Sequence, residues 1–113
     1  MTDVTETYPW GDLVWHSANP SNFKAASMFI HSGARCGKHC HDNANEMLIV
    51  SAGSVTLEIE DQDPVELQSG DSRLIPTGTP HEIVNHPNAP ARVTLIFDDP
   101  NRTYIPLEDT PAH

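Results

Sequence analysis

Basic residues are scarce in this sequence: six Lys and Arg stand against sixteen Asp and Glu, for a formal charge of −10. A field of that sign repels nucleic-acid backbones and anionic lipid surfaces, which are recognised through basic patches, so neither is an expected partner. No apolar run reaches the roughly 18 residues that a membrane-spanning helix needs. The first residues, Met1-Thr2-Asp3-Val4-Thr5-Glu6, are acidic and polar and lack the apolar core of a secretory signal, so a cytoplasmic protein is expected. Cysteine is limited to Cys36 and Cys40, too few for a disulfide framework. They read as packed thiols, with a redox or zinc-binding pair as the alternative. A sustained helical period is also missing, which removes the helical fold classes.

Turn formers and two-residue alternation are present instead. Ten prolines and six glycines divide the 113 residues into short segments, and the length fits one domain. The clearest segment is Ser54-Val55-Thr56-Leu57-Glu58-Ile59-Glu60, with Val55, Leu57 and Ile59 on one face and polar residues on the other. Residues 13–16, 25–31, 46–51, 73–75, 81–85 and 92–97 read as further strands. Turn chemistry falls between them at 19–22, 42–45, 61–64, 69–71 and 86–90. Many short strands with frequent turns predict an all-β sandwich or barrel. Residues 1–8 and 103–113 are expected to be loosely held tails.

Chemistry concentrates in the middle of the chain. His39-Cys40-His41 places two imidazoles on one face of an extended segment, as sharing a metal ion requires. The polar turn 42–45 reverses the chain, and Glu46 then opens a strand from which it can face the histidines. His81, after the Pro76-Thr77-Gly78-Thr79-Pro80 turn, offers a third imidazole. Such a mixed nitrogen and oxygen set suits one divalent first-row ion, whether iron, manganese, nickel, zinc or copper. On an octahedral ion the four residues leave two positions for water or substrate.

These residues also resemble a known family. Gly33-x5-His39-x-His41-x4-Glu46-x6-Gly53 is similar to the first cupin motif, and Gly70-x5-Pro76-x-Gly78-x2-His81-x3-Asn85 to the second, with sixteen residues between them. The resemblance to small single-domain bacterial cupins implies a double-stranded β-helix, or jelly-roll barrel, over residues 1–113. It implies that His39, His41, Glu46 and His81 ligate the metal near one open end, and that a homodimer forms. It also implies tight turns at Gly53, Gly70 and Gly78, and for Asn85 a role in tying backbone together.

Other residues carry weaker expectations. Met28, Met47, Ile83, Phe97 and Arg35 are candidates for the pocket wall, and Phe29, Ile49, Ile75 and Leu95 for wall or core. Trp10 and Trp15 fill a core or dimer interface, or cover the barrel mouth. Cys40, lying between two ligands, should face away from them. Arg35, Arg73 and Arg92 are the basic residues best placed to reach an anionic substrate, with a surface charge as the plainer reading of each, and His16, His31, His86 and His113 match no ligand position.

Cupins host many reactions, so fold does not select one. Dimethylsulfoniopropionate lyases of the superfamily carry a tyrosine two residues after the glutamate, where this chain has Leu48. The only tyrosines, Tyr8 and Tyr104, lie near the chain ends. The expected function is a metal-dependent enzyme acting on a small carbonyl, enol or acid substrate. Lewis-acid isomerisation or cyclisation and dioxygenation are the two chemistries. A non-catalytic ligand-binding or sensor cupin is the alternative, and a storage-type structural cupin fits the complete metal motif least.

Overall fold

The computed structural model describes residues 3–16, 22–86 and 89–107. They form strands β1 (Val4–Tyr8), β2 (Gly11–Trp15), β3 (Lys24–Ile30), β4 (His39–Cys40), β5 (Glu46–Ala52) and β6 (Ser54–Ile59). These are followed by β7 (Val65–Gln68), β8 (Ser72–Ile75), β9 (His81–Val84), β10 (Ala91–Phe97) and β11 (Ile105–Pro106). No helix occurs among the described residues, so none is long and apolar enough to cross a membrane.

The strands pair antiparallel in two sheets, ordered β1-β2-β3-β10-β5-β8 and β11-β4-β9-β6-β7. Non-sequential neighbours such as β3-β10 and β4-β9 wind the chain back and forth between the sheets. The fold is an all-β double-stranded β-helix, as expected. Alternation decides what enters the core. In β6, Val55, Leu57 and Ile59 are buried between half-buried polar neighbours, and in β10 Ala91, Val93, Leu95 and Phe97 are buried while Arg92, Thr94 and Ile96 between them are not. Leu48 and Val50 on β5 meet Leu95 and Val93 in register, and Met28 and Ile30 add the β3 layer. Burial of these side chains is the main favourable term for the sandwich.

Gly53 takes φ 73° in the turn from β5 to β6, a conformation that side chains resist, and Gly70 and Gly78 are also positive. Asn85, just beyond β9, is buried, and its amide nitrogen donates toward the carbonyls of Ile30, His31 and Ala89 at 3.1, 3.2 and 2.8 Å. It therefore ties three separate backbone positions to β9. Asn85→Ala would leave those carbonyls without their donor and is expected to cost about 2 kcal/mol. Urea unfolding checks this, and an unchanged midpoint would refute it.

The expectation of loose ends fails where the structure describes them. β1 pairs with β2 over its whole length, from Val4↔Trp15 to Tyr8↔Gly11. β11 pairs with β4 through Ile105↔Cys40 and Pro106↔His39. Both segments are held by backbone pairing at sheet edges rather than by an apolar face. Val4-Thr5-Glu6-Thr7-Tyr8 therefore carries no hydrophobic alternation to announce a strand. Residues 108–113 lie outside the described part.

Candidate metal centre

Strand pairing assembles the site. β4 delivers His39, with His41 just beyond its end, and β9 opens on His81, which is the register partner of His39. Glu46 opens β5 in the opposing sheet, level with Phe97 and Ile75. The turn between His41 and Glu46 is anchored on both sides. Asn45 donates to both carboxylate oxygens of Asp98 at 2.8 Å, and Asp42 N donates to Thr103 Oγ1 at 2.9 Å. Side-chain donor atoms of His39, His41, Glu46 and His81 then lie within 4.8 Å of one another, all four residues buried.

Each histidine is oriented by a backbone carbonyl. Nδ1 lies 2.8 Å from Gly37 O in His39, 2.6 Å from Thr103 O in His41 and 2.9 Å from Thr79 O in His81. A carbonyl only accepts, so Nδ1 carries the proton in each ring and a neutral imidazole keeps its lone pair on Nε2. Nε2 of His41 and of His81 approach the same oxygen, Glu46 Oε1, at 3.2 and 3.1 Å. Lone pairs aimed at a carboxylate repel it unless a proton or a cation lies between them. His41 Nε2 is moreover buried without a hydrogen-bond partner.

Electrostatics agree with this reading. Burial, helped by the neighbouring His81, pulls the His39 pKa down to about 3, so its ring is neutral. Burial opposes ionisation of Glu46, but the His41 and His81 imidazoles outweigh it and hold the carboxyl below its usual range. Burial likewise opposes a charge on His81, and Glu46 overcomes it and raises the His81 pKa. A buried carboxylate facing three carbonyl-oriented imidazoles is a divalent-cation site, and these residues form the metal-binding group.

Beside the ligands lies a cavity of about 260 Å³. Met28, Ile83 and Phe97 line it. So do Trp10 and Trp15, both buried, which places them in the core and on the cavity wall at once. Cys36 also borders the cavity, where burial pushes its thiol up to about 12, so it stays protonated. Its Sγ accepts a hydrogen bond from Ile83 N at 3.4 Å. Cys40 is buried and outside the cavity lining, facing away from its two histidine neighbours.

Two wall candidates are corrected. Met47 follows the inward Glu46, so strand alternation turns it outward into a surface groove with Phe23, Leu74 and Ile96. Phe29 and Ile49 leave the core for the same reason. Arg35 lies away from the cavity in ion pairs with Glu82 at 2.9 Å and Glu58 at 3.7 Å. Arg73 meets Gln62 at the surface, and Arg92 packs over Phe29. His16 bonds Ser27, and His31 and His86 are exposed, none of them at the site.

The remaining wall comes from the segments read as tails and from Arg102, just before the second of them. Glu6 and Tyr8 on β1, with Arg102 and Tyr104 before β11, all face the cavity. Tyr104 stacks on His39 with ring centroids 4.8 Å apart, and burial raises its pKa, leaving a neutral phenol. Both tyrosines, though near the chain ends in sequence, therefore line the cavity beside the metal-binding group. The i, i+2 spacing of Glu6 with Tyr8 and of Arg102 with Tyr104 was the available signal. Nothing in the sequence shows that β1 and the segment before β11 meet at one cavity.

A sequence model described as a cupin domain matches residues 26–97. No curated protein matches significantly. Among solved structures, the chain is similar to the oxalate decarboxylase of Lactobacillus farciminis determined as a formate complex. There the TM-score is 0.83 and the identity 20%, over 92% of this chain and 33% of that one. A double-stranded β-helix protein from Klebsiella pneumoniae matches with TM-score 0.75 and 14% identity, over 91% of this chain and 86% of that one. Bacillus subtilis oxalate decarboxylase, studied for its Mn(II) centres, matches with TM-score 0.83 and 22% identity, over 93% and 30% of the two chains. The chain thus spans about a third of the length of those decarboxylases.

Proposed function

Because this chain belongs to the cupin domain family, we propose that it is a metal-dependent enzyme acting on a small organic molecule with a carbonyl, enol or acid group. One observation carries the reading: three of the four ligands, His39, His41 and Glu46, line a cavity of about 260 Å³, so the group is not enclosed by protein on every side. A structural ion would be closed off, whereas this arrangement leaves coordination positions facing the cavity. The volume lies below the roughly 300–1,000 Å³ of drug-sized ligand sites, so the substrate is small. The decarboxylase neighbours support small-molecule chemistry on this fold, at the level of fold alone.

A bound divalent ion would supply Lewis acidity for isomerisation or cyclisation, or, if redox-active, a site for dioxygenation. The protein's own contribution is orientation and exclusion of water. Gly37, Thr103 and Thr79 carbonyls hold the three imidazoles, and the aromatic wall of Tyr8, Trp10, Trp15, Phe97 and Tyr104 surrounds the substrate space. Tyr104, stacked on His39, presents a neutral phenol on the cavity wall.

Elemental analysis of protein purified without chelators tests the reading. One equivalent of a divalent transition metal per chain is expected. Iron or copper directs assays to oxygen consumption with enols and diketones, and manganese, nickel or zinc to isomerisation and cyclisation first. Absence of metal after reconstitution would refute the enzyme reading and leave a ligand-binding module.

A further inference from the structure

We infer that Arg102 makes this cavity selective for small organic anions, gripping a carboxylate while a second oxygen of the same molecule faces the metal ligands. The inference rests on the metal-enzyme reading of the site and adds the substrate class to it. Arg102 is half-buried on the cavity wall, and its Nε is buried with no hydrogen-bond partner among the described residues. Its one hydrogen bond there is long, from Nη1 to Thr103 O at 3.5 Å. Its guanidinium carbon lies 4.7, 5.0 and 5.6 Å from the ring centroids of Trp15, Phe97 and Tyr104. Aromatic faces stabilise the cation but do not use its in-plane N–H donors.

The contrast with Arg35 is informative. That more exposed arginine has two carboxylate partners, whereas Arg102, set among rings, forms no ion pair with a described residue. Glu6 shares the cavity, but its Oε1 is already engaged by Tyr8 OH at 2.8 Å and Trp15 Nε1 at 3.0 Å. A planar, always-charged fork with vacant donors beside a small cavity matches a carboxylate.

Arg102 is also joined to the metal site through one peptide group. The Thr103 carbonyl that receives its Nη1 is the one that orients His41 Nδ1 at 2.6 Å. A short molecule therefore reaches both groups across one cavity, which suits 2-hydroxy, 2-oxo and similar acids whose second oxygen lies next to the carboxylate.

The test uses the full chain loaded with cobalt(II), whose visible spectrum reports ligands entering open coordination positions. Glycolate and its neutral counterpart glycolamide are titrated into the parent protein, Arg102→Gln and Arg102→Lys, with cobalt content measured in each. We expect Arg102→Gln to bind glycolate about ten-fold more weakly or worse, with glycolamide affinity and cobalt content unchanged. Arg102→Lys should fall between, because it keeps the charge and loses the fork; it also serves if Arg102→Gln does not fold. Glycolate affinity unchanged in both variants overturns the inference, as does a parent protein that binds neither probe or does not prefer the acid. A parent protein that takes up no cobalt is a separate failure, because it overturns the metal reading itself and this inference with it.

Discussion

His81→Ala is expected to weaken divalent-metal binding by about 100-fold or more while the barrel remains folded. Loss of even an outer hydrogen-bond partner commonly costs 10–100-fold in metal affinity, and His81 is itself one of the four converging donors. Its ring is buried, with Nδ1 on Thr79 O and Nε2 toward Glu46. Alanine therefore removes a ligand and leaves the Glu46 carboxylate with less compensation. The sandwich core lies elsewhere, in residues such as Leu48, Leu57 and Val93, so folding should survive. Metal content after gel filtration and a thermal melt read the two effects separately. A variant that keeps its full metal content would show that His81 is not a ligand.

Acidification should produce the same loss reversibly. A cation needs the Nε2 lone pair, and Glu46 raises the pKa of His81 above its ordinary value. Protons therefore compete for that nitrogen as pH falls through the raised pKa, and metal is retained above it. Metal release that is flat through the histidine range would contradict this.

Gly11→Ala is expected to destabilise the protein by about 3 kcal/mol or more, a large effect for adding one methyl group. Gly11 opens β2 with φ 150°, and a Cβ there would fall 1.8 Å from Phe29 O and 2.9 Å from Phe29 C. The obstacle is backbone of β3, which cannot swing aside as a side chain can. Relief requires lifting β2, and with it the hairpin that carries Glu6, Tyr8, Trp10 and Trp15 to the cavity. Urea unfolding should show a lower midpoint, and small-ligand binding should weaken as the cavity wall shifts. Parent-like stability would mean that β2 and β3 are not packed so closely.

The legible parts of this protein are those dictated by local chemistry. Period-two alternation at Val55, Leu57 and Ile59 marks a half-buried strand in any context, because side chains on a strand alternate by geometry. The ligand spacing at His39, His41 and Glu46, with His81 after a proline-glycine turn, likewise identified the metal group, since donors two residues apart on extended chain share a face. The same rule, applied strictly, would have turned Met47 outward as soon as Glu46 was placed inward.

What local chemistry could not reach was the other wall of the site. Glu6, Tyr8, Arg102 and Tyr104 are separated from the metal ligands by long stretches of chain and lie in polar segments without apolar alternation. Backbone pairing of β1 with β2 and of β11 with β4 brings them to one cavity, and backbone hydrogen bonds leave little trace in residue type. The sequence by itself determined the all-β class and the metal-binding group. Tertiary structure alone decided that β1 and the segment before β11 come to the cavity beside the metal-binding group, with an aromatic wall and Arg102. The reason is physical: alternation and ligand spacing are properties of neighbouring residues, whereas which edges pair is decided by the packed sheets as a whole.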